Sequence, residues 1–170
     1  MLCSSEDFRA AMRLFPASVS VIATGRAPDR VGMTATALCS LSVEPPQVLV
    51  CLNANSATSH AVRSNGAFSV NILADGQSAI ARRFAGMDGA MGDFKFDEPG
   101  WSVGAYGTPV LGTAMQRFEC RMTDMHEAAT HFIVVGEVQG LAIGSAHEAL
   151  IYRDGKFGTF APFAATGRGV

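Results

Sequence analysis

The sequence predicts a mainly β (β+α) fold, an antiparallel barrel with a few peripheral helices, built as one domain. The chain has 170 residues, which suits a single domain. About seven strand-like segments follow one another with about three helical ones among them, and this order favours antiparallel pairing over a doubly wound sheet. Hydrophobic residues make up 48% of the chain and charged residues only 16%, so a large buried core is expected. We place this domain over residues 1–160 and a short tail over residues 161–170.

The first predicted element is an amphipathic helix. Phe8, Met12 and Phe15 recur at helical spacing. Ser4 or Ser5 is expected to cap its N-terminus, because a hydroxyl there can accept from a free backbone N–H.

The next segments predict strands around one short helix. Residues 18–24 alternate and are rich in β-branched side chains, as in a strand with one polar face. Residues 31–43 are extended in character and carry small side chains, which let another body approach the backbone closely. Residues 47–52 are nearly all apolar, as in a strand buried on both faces. A short helix over residues 60–64 and a strand over residues 67–73 follow.

The second half of the chain begins with a helix that Asp75 is expected to cap. Residues 86–100 then form a long loop, and loops of this length are typical of lids and binding loops. Two long strands are predicted over residues 117–126 and 132–143. A final hairpin turns at residues 154–155, where Asp-Gly favours a tight turn.

Charge and hydropathy exclude several functions. The formal net charge is -2, so nucleic-acid binding through bulk positive charge is not expected. No stretch approaches the ~18 consecutive apolar residues of a membrane span. Glu6 and Asp7 stand where a signal peptide would be apolar. We therefore expect a cytoplasmic protein that binds neither nucleic acid nor membrane.

The cysteines show no pairing motif. Cys3, Cys39, Cys51 and Cys120 lack Cys-x-x-Cys spacing, and three of the four sit in apolar runs. We expect them to be free, buried thiols in a reducing compartment.

The common catalytic and nucleotide motifs are missing from the sequence. Neither the dinucleotide-binding Gly-x-Gly-x-x-Gly nor a P-loop is present, and there is no Gly-x-Ser-x-Gly elbow. No metal site is predicted, because the histidines do not stand at ligand spacing: His60, His126, His131 and His147.

Two polar segments of small residues stand out, residues 34–40 and residues 53–59. Each follows or precedes an apolar strand and offers backbone amides and short hydroxyls. These groups suit phosphate oxygens and the polar rim of a planar heterocycle. The second segment also leads into a predicted helix, whose N-terminal amides attract anions. From composition alone, two ordinary polar turns remain the alternative interpretation.

Both segments belong to a longer series of motifs. The series comprises residues 32–40, Pro45-Pro46, residues 49–53, Ser56, Asn65-Gly66, Val70-Asn71, and residues 81–86, 109–111, 118–120, 130–131, 136–138 and 150–152. In this order and spacing it resembles the flavin reductase-like family, whose fold is an FMN-binding split β-barrel. The resemblance is closest to the small reductase components of two-component flavin monooxygenases, of the 4-hydroxyphenylacetate type. It covers nearly the whole predicted domain.

The resemblance implies an NAD(P)H-dependent flavin reductase. Such an enzyme reduces FMN or FAD by hydride transfer from NADH or NADPH and supplies the reduced flavin to a separate monooxygenase component. Members are homodimers with the flavin near the subunit interface. A flavin-binding barrel without turnover, serving as a carrier, sensor or structural subunit, is the alternative. An oxidase of the pyridoxamine phosphate kind is a third interpretation, although its basic phosphate ligands are not evident here.

The resemblance also assigns flavin-binding residues. Those expected along the isoalloxazine ring and ribityl chain are Thr34, Ala35, Thr36, Ala37 and Ser40. Those expected to reach the ribityl chain and phosphate are Cys51, Asn53, Ser56, Thr58 and Ser59.

The remaining assigned residues lie later in the chain. Arg83 and Phe84 are expected near the phosphate or adenosine side, although Phe84 also suits a helix-face core position. His131, Tyr152 and Arg153 are expected to face the nicotinamide nucleotide. His131 would orient nicotinamide or flavin without obligatory acid–base chemistry, since the two cofactors hold the reacting atoms.

Overall fold

The computed structural model describes residues 3–146 and 148–161. Its helices are α1 (Ser5–Arg13), α2 (Ala57–Asn65), α3 (Ser78–Phe84) and a 3-10 helix (Gly92–Phe96). Its strands are β1 (Ala17–Ser18), β2 (Ser20–Thr24), β3 (Val31–Ala35), β4 (Leu38–Val43), β5 (Pro46–Asn53), β6 (Ala67–Ile72), β7 (Trp101–Val103), β8 (Pro109–Leu111), β9 (Gln116–Ala128), β10 (His131–Ile143), β11 (Ile151–Arg153) and β12 (Lys156–Gly158). The strands are more numerous than predicted, because the extended segment predicted over residues 31–43 forms two strands, β3 and β4, whereas β9 and β10 are slightly longer than predicted.

The main sheet has seven strands in the order β3-β2-β6-β9-β10-β5-β4, all antiparallel. Its two end strands are nevertheless consecutive in the chain, joined by residues 36–37. Flat, such a sheet would place the end strands roughly 29 Å apart. From Ala35 to Leu38 the chain can reach only about 10 Å. The sheet therefore curls into a barrel that is split between β3 and β4.

Smaller elements cover the barrel. A three-stranded sheet in the order β1-β11-β12 holds the final hairpin against the start of the chain, and β7 pairs with β8. The hairpin predicted to turn at residues 154–155 is confirmed, with Arg153 opposite Lys156. The amide of Leu73, just after β6, donates to the carbonyl oxygen of Val19 (2.9 Å), which lies between β1 and β2. This bond connects the barrel to the smaller sheet.

The core has two hydrophobic clusters that share β2. One fills the barrel and includes Ile22, Leu52 and Phe68, and the other packs Val21 against Phe84 of α3. Every residue of β2 is therefore buried. The polar face predicted for this strand, which carries Ser20 and Thr24, is buried, and a second layer covers the opposite face.

The polar C-terminal end of β2, Thr24, is hydrogen-bonded inside this core. Thr24 Oγ1 donates to the carbonyl oxygen of Ala67 (2.6 Å) and accepts from Asn65 Nδ2 (3.1 Å). A buried hydroxyl with such partners costs little free energy compared with an unpaired one.

Two helix starts were predicted from capping residues, and the outcomes differ. Ser4 caps α1, accepting from the amide of Asp7 (3.0 Å), as expected for one of the two serines. Asp75 does not cap α3, which starts after Gln77. The Gln77 side chain instead accepts from the amide of Ala74 (2.8 Å) and donates to the carbonyl oxygen of Thr113 (3.0 Å). The Asp75 carboxylate accepts a hydrogen bond from the amide of Gly76.

The long loop of residues 86–100 is held against the barrel. Asp93 accepts two hydrogen bonds from the Arg30 guanidinium, at 2.6 and 2.8 Å. Phe96 is 3% exposed and packs edge-on against Phe84 and Trp101. We therefore interpret this loop as a fixed wall and not as a lid that opens.

The cysteines are less buried than predicted. Cys3 and Cys39 are exposed, because one precedes α1 and the other lies on an end strand of the sheet. Cys120 is buried, and burial raises the pKa of its thiol to about 12. The expectation of four buried thiols is thus wrong for Cys3 and Cys39, and Cys51 is only half-buried.

Some predictions fall outside the described residues. His147 and residues 162–170 are among these, so the predicted division into a domain over residues 1–160 and a tail over 161–170 stays a prediction. Within the described part of the chain, no helix has the length and apolar character needed to span a membrane.

Gly136 offers a test of the packing inside the barrel. A Cβ there would lie 2.5 Å from the Phe68 ring and 2.9 Å from the Cys120 side chain, both buried. We expect Gly136→Ala to lower the free energy of unfolding by about 1–3 kcal/mol through overpacking. Gly158→Ala, where nothing lies within 4 Å of the added carbon, is the control. Urea denaturation of both variants measures the effect, and equal stabilities would contradict this packing.

Candidate active site

A small cavity of about 180 Å³ opens beside the free edge of β3. We call it the lysine cavity. It is lined by residues 31–33 of β3, residues 56–58 at the start of α2, and Gly92 and Lys95 of the 3-10 helix. Because β3 ends the sheet, one edge of its backbone has no strand partner. Backbone polar groups, a helix start and a cation therefore meet in one space.

The start of α2 favours an anion in this cavity. Ser56 caps the helix: its Oγ accepts from the amide of Ser59 (3.1 Å) and donates to the carbonyl oxygen of Asn53 (2.8 Å). The first turn carries no acidic side chain. The partial positive charge of the helix N-terminus is therefore not neutralised by the helix itself.

Lys95 supplies the cation. Its Nζ donates to the carbonyl oxygen of Phe84 at 3.3 Å. Partial burial lowers the pKa of Lys95, and the charge of Asp88 opposes this shift to a smaller extent. Among the described residues Lys95 takes part in no ion pair. A desolvated cation without a carboxylate partner gains from an incoming anion.

A second, larger cavity of about 670 Å³ lies between α1 and the strands β4 and β5. We call it the helix groove. Its lining residues are Phe8, Arg9, Met12, Arg13, Phe15, Ala17, Thr36, Ala37, Leu38, Cys39, Leu49, Cys51 and Tyr152. No residue of α1 is buried, and its apolar side chains face this groove. A volume of this size with apolar walls suits a flat heterocycle.

The two cavities lie close together along the chain at the split of the barrel. Thr36 and Ala37 are exposed in the helix groove, and Met33, three residues earlier on the same chain, lines the lysine cavity. Three extended residues span about 10 Å. The predicted residues Thr34 and Ala35 lie between, where Ala35 is buried and Thr34 Oγ1 donates to the carbonyl oxygen of Ala81 (2.7 Å). They lie between the two cavities without lining either.

Other predicted flavin-binding residues are divided between exposed and buried positions. Ser40 is exposed on β4, opposite Val48. Ser59 is buried, and its hydroxyl donates within the first turn of α2, to the carbonyl oxygen of Ser56 (2.8 Å). Thr58 is 3% exposed and lines the lysine cavity.

Cys51 and Cys39 both line the helix groove. Burial, and to a smaller extent the neighbouring Cys39, raises the pKa of Cys51. A thiol with a raised pKa stays uncharged near neutral pH, so this wall of the groove carries no anion.

His131 begins β10, opposite Asn53 in the sheet register. Its Nδ1 lies 2.9 Å from the hydroxyl of Thr130, and the ring is exposed. The carbonyl oxygen of Asn53 also accepts from the amide of Ser56 (3.1 Å). The structure therefore brings His131, Asn53 and Ser56 together at one end of the barrel. Of the three, only Ser56 lines one of the two cavities.

Arg83 and Phe84 do not line either cavity. Arg83 pairs with Asp88 (2.8 Å) and Glu98 (3.3 Å), and its hydrogen bond to Asp88 raises its pKa. Phe84 is 1% exposed, and a Cβ at Gly32 would meet its ring at 2.8 Å. Phe84 therefore occupies the helix-face core position that the sequence offered as its other assignment, directly beneath β3.

Tyr152 and Arg153 lie on β11, in the final hairpin. Tyr152 lines the helix groove, opposite Ala17 in register, and packs against Phe157 with ring centroids 5.3 Å apart. Arg153 Nε donates to the carbonyl oxygen of Leu14 (3.1 Å), which ties α1 to the final hairpin.

Sequence reasoning missed Lys95 as a site residue. A signal was available, since only Lys95 and Lys156 are lysines among the 13 basic residues. Lys95 also stands between two phenylalanines in a long loop, a pattern that indicates an anchored segment.

A curled antiparallel barrel, with a cavity at its split that favours an anion and an apolar groove alongside, suits the binding of a phosphorylated flat heterocycle. Comparison with known proteins agrees. The family model described as flavin reductase like domain matches residues 12–161. The chain belongs to the flavin reductase-like family.

Individual relatives are similar over most of their length. The FMN reductase (NADH) RutF of Ancylobacter novellus is 40% identical over 149 residues, covering 88% of this chain and 81% of the relative. The 4-hydroxyphenylacetate 3-monooxygenase reductase component of Salmonella typhimurium is 35% identical over 150 residues, covering 88% of both chains. Among solved structures, the Streptomyces globisporus NADH:FAD oxidoreductase SgcE6, in complex with NAD and FAD fragments, superposes with a TM-score of 0.85. It is 30% identical, with 96% of this chain and 99% of that chain covered.

These findings confirm the predicted family and the split-barrel fold class. They also confirm the predicted class of enzyme, a flavin reductase that uses flavin and nicotinamide cofactors. The individual site residues stay predictions.

Ser56 provides a test of the lysine cavity. Aspartate is as good a helix cap as serine, so Ser56→Asp should leave α2 intact while placing a negative charge beside the cavity. We expect flavin affinity to fall about tenfold or more through repulsion of the phosphate. The matched control is Ser56→Asn, a neutral cap, which should bind within about threefold of the unaltered protein. Quenching of flavin fluorescence measures both, and equal affinities would place the phosphate elsewhere.

Proposed function

We propose that this protein is an NAD(P)H:flavin reductase that reduces FMN or FAD and supplies the reduced flavin to a separate monooxygenase component. One observation carries the proposal: Lys95 and the uncompensated N-terminus of α2 face one cavity beside the split of the barrel. The names of the relatives support the same activity, since they describe an FMN reductase, a monooxygenase reductase component and an NADH:FAD oxidoreductase.

The lysine cavity is proposed to hold the flavin phosphate. Lys95 would provide the charge, and the first-turn amides of α2 would provide directed hydrogen bonds. The free edge of β3 offers further backbone groups. Of the residues predicted for this role, Ser56 and Thr58 line the cavity, whereas Arg83 is already paired with two carboxylates.

The helix groove is proposed to hold the isoalloxazine ring. Thr36, Ala37 and Cys51 would form one wall, and the apolar side of α1 the other. A bound flavin accepts a hydride from nicotinamide, so the chain has to position the two rings and exclude water without supplying an acid or base. The uncharged thiol of Cys51 avoids placing an anion beside a ring that gains negative charge on reduction.

His131 is proposed to position the nicotinamide nucleotide. It lies at the same end of the barrel as Asn53 and Ser56, and it is exposed to solvent. Its ring is oriented by Thr130, whose hydroxyl lies 2.9 Å from Nδ1. Tyr152 and Arg153 would act on the opposite side, the first in the groove wall and the second by holding α1 in place.

A homodimer and a cytoplasmic location belong to the same proposal. Apolar side chains are exposed on α1 and on the end strand β4, where Val43 is 91% exposed. A second copy covering these faces would remove them from water. The exposed thiols Cys3 and Cys39 suit a reducing compartment.

A kinetic matrix tests the activity. Purified protein with each of FMN and FAD against each of NADH and NADPH is expected to oxidise the nicotinamide well above the rate with flavin alone. Absorbance at the nicotinamide band follows the reaction. Flavin binding without turnover would contradict the reductase proposal and favour the alternative, a barrel that binds flavin without reducing it.

The pH dependence of binding tests the role of Lys95. Its pKa is lowered by burial, so its ammonium loses the proton at a lower pH than an ordinary lysine, whose pKa is about 10.4. We expect flavin affinity to decline as pH rises through this lowered pKa. Lys95→Arg, which stays charged, should keep its affinity between pH 7 and about pH 10. The same decline in both proteins, or unchanged affinity in Lys95→Gln at pH 7, would remove Lys95 from the phosphate site.

A further inference from the structure

The 3-10 helix beside the lysine cavity has three distinct faces, because a 3-10 helix has about three residues per turn. Asp93 and Phe96 share the inward face, the first bonded to Arg30 and the second buried. Gly92 and Lys95 share the face that lines the cavity. The third face carries Phe94, which stands between Asp93 and Lys95, and Met91, the residue that precedes the helix.

Met91 and Phe94 form this third face. They are three residues apart, and the amide of Phe94 donates to the carbonyl oxygen of Met91 (3.2 Å). Both side chains are exposed, Met91 to 76% and Phe94 to 73%. We call this pair the rim platform.

The rim platform is held in place while its side chains stay in solvent. Two hydrogen bonds from Arg30 to Asp93 and the buried ring of Phe96 fix the backbone on either side of Phe94. These two large apolar side chains stay exposed to water in the described part of the chain. A flat apolar ligand that packed on them would remove this surface from water, which is favourable.

The position of the platform relates it to the cavity. Phe94 lies directly before Lys95, one residue around the helix from the cavity face. A ligand that ends at the phosphate stays inside the cavity. A ligand that continues beyond the phosphate can extend over this rim, which adjoins the cavity at Lys95. FMN is of the first kind, and FAD, with a second phosphate and an adenosine, is of the second.

We propose that Met91 and Phe94 bind the adenine ring of FAD and make this enzyme select FAD over FMN. The proposal rests on the proposed function, in which the flavin phosphate occupies the lysine cavity. Phe94 offers a ring face on which a base stacks, and the Met91 sulfur packs favourably against an aromatic ring. Stacking of a base on one aromatic side chain changes affinity by about tenfold or more. Lys95 stands between platform and cavity, where the second phosphate would pass.

Equilibrium binding of the two flavins tests this inference. The purified flavin-free protein is titrated with FAD and with FMN, followed by flavin fluorescence, for the unaltered chain, Phe94→Ala, Met91→Ala and Phe94→Trp. We expect tighter binding of FAD than of FMN by about tenfold. Phe94→Ala should remove most of that difference while FMN affinity changes by less than about twofold, and Phe94→Trp should retain it. Met87→Ala removes an equally exposed side chain outside the platform and is the matched control.

The outcomes separate this inference from the proposed function. Equal affinity for FAD and FMN in the unaltered chain, or equal weakening of both by Phe94→Ala, overturns the adenine platform and leaves flavin reduction standing. Failure of both flavins to bind overturns the two proposals together. Should Phe94→Ala leave both affinities unchanged and shift the protein's mass in solution, the rim is a contact between copies and the platform is likewise overturned.

Discussion

The short connection between the two end strands of the main sheet is the constraint on which the rest of the structure depends. Residues 36–37 join β3 to β4, which lie at opposite ends of the strand order. The sheet can satisfy this connection only by curling, because the chain cannot span its flat width. Curling encloses the barrel core, and it leaves the backbone of β3 and the exposed residues Thr36 and Ala37 at one seam.

The seam places two different environments within reach of one ligand. On one side the start of α2 and Lys95 concentrate positive charge, and on the other α1 and the strands β4 and β5 provide apolar walls. A phosphorylated flavin has the same division into an anionic end and a flat apolar end. The small side chains of Thr36 and Ala37 are consistent with close approach of the ligand to backbone, which larger residues would prevent. Because the cofactors contain the reacting atoms, such a site needs no catalytic triad or metal cluster.

Local patterns predicted much of this from the sequence. The amphipathic repeat of α1, the two long strands of the β9–β10 hairpin and the final Asp-Gly turn all appear near their expected positions. These features depend on neighbouring residues, so periodicity and turn chemistry suffice to find them. The two polar segments were also found, since small polar residues beside apolar strands are visible in composition.

What the sequence left unpredicted depends on packing between distant segments. Burial of both faces of β2 requires the second layer formed by α3 and β8, which alternation in residues 18–24 cannot reveal. The start of α3 at Gln77 depends on Thr113, 36 residues away along the chain. Lys95 becomes a site residue because Asp93 and Phe96 anchor its helix to Arg30 and Phe84. Phe84, assigned to the cofactor by resemblance, lies in the core because Gly32 leaves room for its ring.

The way in which α1 is attached affects how a ligand could enter and leave the helix groove. The helix buries none of its residues, and it is tied to the body through its C-terminal end, where Asp154 donates its amide to the carbonyl oxygen of Arg13 (2.6 Å). Segments with few buried contacts unfold locally at a small fraction of the global free energy. One wall of the groove can therefore detach while the barrel and the lysine cavity keep their shape. In the proposed reductase, a reduced flavin bound for another protein would then have a path out past this helix.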